Sequence, residues 1–271
     1  QIRAIISQSR FIKRRYEHEI PIITASEYVS YILESQVVDE IFYSKKKIIL
    51  SELRAISKIA NEIGVVLRVQ RNDINEKSDN IELKTINSIG KLSLINVPSH
   101  KLDLDIKSII DVVFSSLAVA ILSPFFLIMA ILIKISSKGP VFFAQERVGL
   151  RGRKFKLYKF RTMVVDAEKM IEKLIDHNEM DGPTFKMKND PRVTPIGRIL
   201  RKSGIDELPQ LFNVIRGQMS LIGPRPPLES EVREYERWQL RRLSVKPGIT
   251  CTWQIMPNRN DIKFDKWMRM D

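Results

Sequence analysis

The stretch Val112-Val-Phe-Ser-Ser-Leu-Ala-Val-Ala-Ile-Leu-Ser-Pro124-Phe-Phe-Leu-Ile-Met-Ala-Ile-Leu-Ile133 decides how this chain is read. It holds 22 residues and no charge. At about 1.5 Å per residue such a helix is about 33 Å long, enough for a hydrocarbon core of about 30 Å. So uniform an apolar run does not suit a buried soluble helix, and we read it as membrane-embedded. Ser123-Pro124 lies at its middle. Proline removes a backbone donor and clashes with the preceding turn, so a sharp bend is expected there. Lys101 and Lys107 precede the run; Lys134, Lys138 and a denser basic segment follow it. The positive-inside rule puts that C-terminal flank in the cytoplasm. If both flanks are cytoplasmic, the helix enters, bends at Pro124 and leaves on the same face. An ordinary proline-kinked spanning helix fits the same residues, and both remain open at this level.

Upstream, the pattern changes to α/β. Thr24-Ala-Ser-Glu27 has the form of a capping box opening a helix to about Ser35. Val37–Tyr43 suits a strand, with its β-branched and aromatic residues. Leu50, Leu53, Ile56, Ile59 and Ile63 keep helical spacing up to Gly64, and Val65–Val69 suits the next strand. This alternation predicts a parallel sheet. No glycine-rich phosphate loop follows any of these strands, so a structural or oligomerising module is expected rather than a dinucleotide site. Residues 70–100, including Leu92-Ser-Leu-Ile-Asn-Val97, are predicted to be the module's last edge and a linker.

The chain has 271 residues, long enough for about two domains. Its formal charge of +13 is unevenly spread: 15 basic against 12 acidic residues in the first hundred, 30 against 20 in the rest. An anionic partner is implied for the second part. The single cysteine, Cys251, excludes a disulfide framework, and His18, His100 and His177 are too scattered for a metal cluster. The first residue is Gln1 and the last is Asp271, and we expect a fragment cut at both ends.

Downstream of the apolar run, Arg147–Arg161 carries seven cations and no acid. Phe155-Lys-Leu-Tyr-Lys-Phe-Arg161 suits a strand with Lys159 and Arg161 on one face. Three partners fit this run: anionic lipid headgroups, stacked nucleic-acid bases, or the phosphates of a small substrate. Thr194 and Pro195 then read as N-cap and first residue of a cationic helix. Ser203-Gly-Ile-Asp-Glu-Leu-Pro-Gln210 begins a second one, with Leu208, Leu211, Phe212 and Ile215 on its apolar face and Gly217 after its end. Ser203 and Asp206 have capping-box spacing, which gives the acids a purely structural reading. The surrounding cations, Arg198, Arg201, Lys202 and Arg225, give another. Two adjacent carboxylates among arginines can hold Mg²⁺ and attack a phosphorus, and with no Cys or His cluster a hard, oxygen-liganded cation is the natural metal.

Several motifs occur together in order: Ser123-Pro124, Gln145-Glu-Arg-Val-Gly149, Lys159-Phe-Arg-Thr-Met163, Asp206-Glu-Leu-Pro-Gln210, Gly223-Pro-Arg-Pro226 and Lys246-Pro-Gly-Ile-Thr250. From about Lys101 to Asp271 the chain closely resembles the bacterial sugar transferases. These are monotopic phosphoglycosyl transferases that act on polyprenyl phosphate and start capsule, exopolysaccharide and O-antigen synthesis. The resemblance implies a ping-pong reaction on the cytoplasmic face of the bacterial inner membrane. Asp206 would attack a UDP-sugar, release UMP and hold the phosphosugar until polyprenyl phosphate takes it. Glu207 would assist through Mg²⁺ or as a base, so both acids are candidate catalytic and metal-binding residues. Arg225 carries over to nucleotide binding, and Lys159, Arg161 and Arg201 to phosphates. The resemblance also implies a re-entrant helix broken at Ser123 and Pro124.

The expected organisation is a partial Rossmann-like, CoA-binding-type module at 1–97, a linker at 98–107, the re-entrant helix at 108–135, and an α-rich catalytic domain at 136–271 that lacks the family's C-terminal end. Expected partners are a UDP-sugar, polyprenyl phosphate and membrane lipid, with homo-oligomers allowed and no nucleic acid. Trp253-Gln-Ile-Met-Pro-Asn-Arg-Asn-Asp261 departs from the family's common Trp-Gln-Val-Ser-Gly-Arg-Asn. The sugar is not named by these residues. The competing reading is a membrane-docked scaffold without chemistry.

Overall fold

The computed structural model of the protein describes residues 5–6, 18, 22–23, 38–44, 50–70, 87–89, 92–95, 101–167, 169–170, 187, 190–256, 262 and 264–271. They form a mixture of helices and small sheets with one long apolar helix. The chain divides into two compact units. One comprises Gln1–Lys101, Arg151–Arg153 and Tyr235–Ser244; the other comprises Leu102–Leu150, Lys154–Glu234 and Val245–Asp271.

In the first unit, strands β1 (Ile5–Ile6) and β2 (Ile22–Ile23) pair in parallel. A separate sheet has the order β3-β4-β6-β5, from β3 (Glu40–Tyr43), β4 (Val66–Gln70), β5 (Asn87–Ile89) and β6 (Leu92–Ile95). Helix α1 (Leu50–Ile63) joins β3 to β4, which run parallel. Its Leu53, Ile56 and Ile63 are buried, as the sequence pattern predicts; Ile59 of that pattern is only partly buried, and Ala60 beside it is fully buried. Gly64 ends the helix at φ +71, and a Cβ there would lie 2.5 Å from the Ser244 Cβ. On β3, Ile41 and Tyr43 point inward and Glu40 outward, where Arg68 of β4 meets it through Nε and Nη2 at 2.5 and 2.7 Å.

The all-parallel, Rossmann-like arrangement is not what this unit shows. β6 runs antiparallel to β4 and β5 antiparallel to β6. Strands joined by only two residues, 90 and 91, can pair only as a hairpin; a parallel neighbour needs a crossover. The β5–β6 hairpin therefore forms one side of the sheet, with β5 at its edge, inside the stretch 70–100 predicted to be the module's last edge. The helix predicted from Thr24 falls outside the described residues.

In the second unit, helix α2 spans Lys101–Ser136 without interruption, with Pro124 inside it. It begins seven residues before the predicted start at 108, because no glycine or proline interrupts 101–107. It is long and apolar enough to cross a membrane. Ile106, Ile109, Val113, Phe114, Leu117, Ile121, Leu127 and Ile131 are exposed along it. Near its start, Lys107 Nζ donates to Asp111 Oδ2 at 2.9 Å and to Ser220 Oγ, and Ser220 Oγ donates to Asp111 Oδ2 at 2.7 Å. Near its end, Ile133 is buried with Phe160 and Leu200, and Phe126 packs on Phe160 and Phe212 at ring separations of 5.6 and 5.9 Å.

Strands β7 (Phe142–Val148) and β8 (Lys154–Phe160) pair antiparallel over their full length. β8 buries one face along its first half and the other only at its end. Phe155 and Leu157 join Val214 and Met219 on one side, while Phe160 meets the apolar helix on the other. Helix α3 (Pro195–Ser203) is capped by Thr194, whose Oγ1 accepts from Gly197 N at 3.0 Å. A 3-10 turn, Ile205–Gln210, leads into the short helix α4 (Leu211–Ile215). Strand β9 (Ser220–Ile222) pairs in parallel with β10 (Gly248–Thr250).

The single helix predicted from Ser203 is thus broken. Gly204 at φ 72 ends α3, and Pro209 limits the next segment to a 3-10 turn. The Ser203 hydroxyl donates back to Ile199 O and Leu200 O, at 2.9 and 3.1 Å. The predicted Ser203–Asp206 capping box does not form.

Candidate active site

The 3-10 turn after α3 carries Asp206 and Glu207. Asp206 is only 7% exposed. Burial pushes its carboxyl above the ordinary aspartate range. The nearby Lys159 ammonium opposes this, Glu207 adds to it, and Arg201 opposes it again. Glu207 is half-buried, and its Oε1 accepts from Lys159 Nζ at 2.5 Å. Lys159 reaches it because the strand's alternation continues from Phe155 and Leu157: the third residue on that face emerges beyond the apolar core.

Lys159 and Glu207 border an open cleft whose walls also include Gln210, Arg147, Arg225 and Gln254. Arg225 projects from the loop after β9. Its Nη1 lies 3.7 Å from Glu231 Oε1, and its guanidinium sits 5.5 Å from the Trp267 ring centroid. The loop itself is tied to the hairpin by Arg147, whose Nη1 donates to Pro226 O at 3.1 Å. Arg201 Nε donates to Thr162 Oγ1 at 2.9 Å, and its charge acts on Asp206.

The structure therefore brings Asp206, Glu207, Lys159 and Arg201 together, and Arg225 shares the cleft with Lys159 and Glu207. Arg161 goes elsewhere. It is buried just past the end of β8, donates to Lys138 O at 2.8 Å, and reaches Ser137 O and Oγ at 2.7 and 2.8 Å. It closes the chain leaving α2, where carbonyls lack helical partners. Gly139 makes room for it: a Cβ there would fall 2.0 Å from Arg161 Nη1. The expectation that Arg161 shares a strand face with Lys159 fails because the strand ends at Phe160.

Ser123 and Pro124 lie far along the sequence from the acids, within α2. Proline leaves the Ala120 carbonyl without its helical donor, and Ser123 Oγ donates to that oxygen at 2.9 Å.

Sequence reasoning missed Asp190 with Arg192, Arg147, Gln210 and Gln254. Asp190 and Arg192 form a buried two-pronged pair, Nε–Oδ1 2.9 Å and Nη2–Oδ2 2.6 Å. The Arg192 hydrogen bond holds the Asp190 carboxyl below its ordinary range. The two residues were visible in the sequence as Asp190-Pro-Arg192, but nothing in their spacing indicates burial. Among the described residues, no group of three or more His, Cys, Asp or Glu side chains is placed to hold a metal. A cation would have to rely on the acid pair, water and the substrate's oxygens. The pair supplies the hard oxygen donors Mg²⁺ prefers.

Residues 102–271 match the family described as bacterial sugar transferase. The galactosyl transferase CpsE of Streptococcus agalactiae is 52% identical over 49% of this chain and 30% of its own length. The exopolysaccharide production protein ExoY of Rhizobium meliloti is 43% identical over 57% of this chain and 70% of its own. The undecaprenyl-phosphate galactose phosphotransferase of Salmonella typhimurium is 39% identical over 61% of this chain and 35% of its own. The chain thus spans about a third of two of these proteins and about two thirds of the third.

Proposed function

The chain belongs to the bacterial sugar transferase family, and we propose that it moves a sugar phosphate from a UDP-sugar to undecaprenyl phosphate at a membrane surface. The observation that carries this reading is the buried Asp206 next to Glu207, whose pair with Lys159 borders a cleft that also carries Arg147 and Arg225. A carboxylate kept from water is a stronger nucleophile than a solvated one, and the flanking cations favour its ionised form against the burial that opposes it. Asp206 attacks the β-phosphorus of the donor. The bond from that phosphorus to the α–β bridging oxygen breaks, and UMP leaves with the electron pair. Lys159, Arg201 and Arg225 are the cations suited to the charge that develops on the phosphate oxygens. An oxygen of undecaprenyl phosphate then attacks the same phosphorus, and the Asp206 carboxylate departs. The products are UMP and a sugar joined to the lipid through a diphosphate.

Asp206 and Glu207 are the oxygen donors that would hold Mg²⁺, which when bound would supply positive charge to the departing UMP phosphate. Glu207 would then loosen its contact with Lys159. The scaffold reading loses its main support, since it needed Asp206 as the partner of a Ser203 cap and that cap does not form.

The lipid acceptor requires that the site lie at a bilayer. We infer that α2 is re-entrant and embeds from the cytoplasmic face of the inner membrane. Both ends of the helix are fastened to the same unit: Asp111 to Ser220 near one end, Ser137 and Lys138 to Arg161 at the other. A spanning helix would carry one of those ends to the far side. The donor sugar is left open by the cleft's residues, whereas relatives act by name on galactose, glucose and N-acetylgalactosamine. The test is a panel of UDP-sugars with short-chain polyprenyl phosphate and Mg²⁺. Release of UMP that depends on Asp206 supports the reading; no release from any donor in a folded, membrane-reconstituted protein overturns it.

A further inference from the structure

One buried carboxylate has no part in the reaction above. Asp111 is 6% exposed at the entrance to the apolar run. A buried carboxylate is costly unless donors surround it. Asp111 has two, the Lys107 ammonium and the Ser220 hydroxyl. That hydroxyl has a single proton and two acceptors within reach, Asp111 Oδ2 at 2.7 Å and Ile222 O at 2.9 Å. The charged acceptor is the stronger one, so the proton points to the helix. A second attachment lies beside the first: Lys246 Nζ is 3.5 Å from Ser108 Oγ. The first turns of α2 are therefore fastened to β9 and to the residue that leads into β10.

The same two strands carry a wall of the cleft. Arg225, Pro226, Gly248 and Ile249 line it. Between Ser220 and Arg225 the chain has no slack. A Cβ on Gly223 would fall 2.4 Å from Lys246 O, and one on Gly248 would fall 2.1 Å from Gly223 N. Gly223 N–H donates to Thr250 O at 3.1 Å and Gly248 N–H to Pro224 O at 2.9 Å. Backbones this close move together rather than separately.

We propose that Lys107, Asp111 and Ser220 are positioning residues, a clamp through which the seat of the apolar helix fixes the loop bearing Arg225. They touch no substrate. The consequence is that a helix seated wrongly in the bilayer weakens donor binding even though the catalytic acids are intact. What the cleft binds rests on the transfer reaction proposed above; the clamp's geometry does not.

The experiment uses the full chain in phospholipid nanodiscs. The variants are Asp111→Ala, Ser220→Ala, the two combined, and Asp111→Asn as the conservative change. Amide hydrogen exchange of residues 220–226 should quicken about tenfold in either alanine variant, the cost of an unmade buried hydrogen bond. The double variant should add little to that. Residues 154–160 should exchange as in the parent. With whichever UDP-sugar the parent turns over, KM should rise about tenfold while kcat stays within about twofold, the pattern of lost ground-state binding. Asp111→Asn should recover part of both effects. Unchanged exchange at 220–226 overturns the clamp. So does faster exchange spread equally over 154–160, which would mean general loosening. A parent that turns over no donor sinks the transfer reaction, and the exchange data still decide the clamp.

Discussion

Carboxylates in the two units are held in opposite ways. In the first unit, Asp39 is drawn below its ordinary range by its hydrogen bond to Arg153, and Glu40 by its bond to Arg68. In the second, Asp206 is pushed up by burial, against the pull of Lys159 and Arg201. A lowered carboxyl marks a group whose charge the fold welcomes; a raised one marks a charge the fold tolerates at a cost. Within the second unit Asp190 shows that location alone does not set the sign, since its buried pairing with Arg192 lowers it. Asp206 lacks the two-pronged arginine partner that Asp190 has, and burial raises it instead, which marks it as a candidate functional group.

The largest expected effect tests this contrast directly. Asp206→Asn removes the nucleophile, and UMP release should fall more than about a thousandfold. The same change should raise thermal stability at neutral pH. The sign follows from the raised carboxyl: between its unfolded and folded values the native state holds the proton more tightly, so stability falls as pH rises through that window. The asparagine variant escapes that loss, and its advantage should shrink as pH drops toward the unfolded value. An Asp206→Asn variant less stable than the parent at pH 7 would remove the claim that Asp206 is strained. Activity of the parent should fall on the acid side as the raised carboxyl protonates, measured as a pH profile of kcat/KM.

Lys159 and Arg161, two residues apart, make a second comparison. Lys159→Met should lower turnover about a hundredfold, the scale for losing one charge-stabilising donor. It should also move the acid limb of the pH profile upward, because the largest force lowering the Asp206 carboxyl is gone. Arg161→Met should leave KM for the donor near the parent's and cost about 2 kcal/mol of stability by stranding the carbonyls of Ser137 and Lys138. A large rise in KM for the Arg161 variant would return that residue to the phosphates.

The difference between these two cations also shows where sequence reading stops. Local signals were legible: the spacing of Leu53, Ile56 and Ile63, the Thr194 cap, Gly64 and Gly217 at helix ends, the uniform apolar run. Each depends on neighbours within a turn or two. The acid pair and its basic surroundings were legible because adjacent carboxylates amid cations need a reason to exist. Partners far along the chain were not. Arg161 meets residues 23 and 24 positions away, Lys159 meets Glu207 at 48, and Arg147 meets Pro226 at 79. Alternation put Lys159 and Arg161 on one face, and only the end of the strand at Phe160 separated them. The antiparallel turn of the first sheet was hidden for a similar reason, since strand composition does not encode the direction of a partner.

The smallest expected effect belongs to the first unit and completes the contrast. Asp39 is about half exposed, with Arg153 Nη2 at 2.7 Å and Arg151 donating to its carbonyl oxygen at 2.5 Å. Solvent screens such pairs, and exposed ion pairs contribute about 0–1 kcal/mol. Asp39→Asn should therefore shift the melting temperature by no more than a few degrees and leave turnover unchanged. Its pH dependence runs opposite to that of Asp206. A lowered carboxyl contributes its stability above the unfolded value and loses it as pH falls through the folded one, so the difference between parent and variant should vanish in acid. High salt should erase it too. One further contact is at stake: Arg151 sits in the left-handed region at φ 54, a conformation with a cost for any residue bearing a side chain. Its bond to the Asp39 backbone carbonyl survives the substitution, so that turn should hold. A loss well above 1 kcal/mol in Asp39→Asn, measured by denaturant unfolding, would mean that the side chain rather than the backbone holds Arg151, and that the first unit depends on charge more than its exposed pairs suggest.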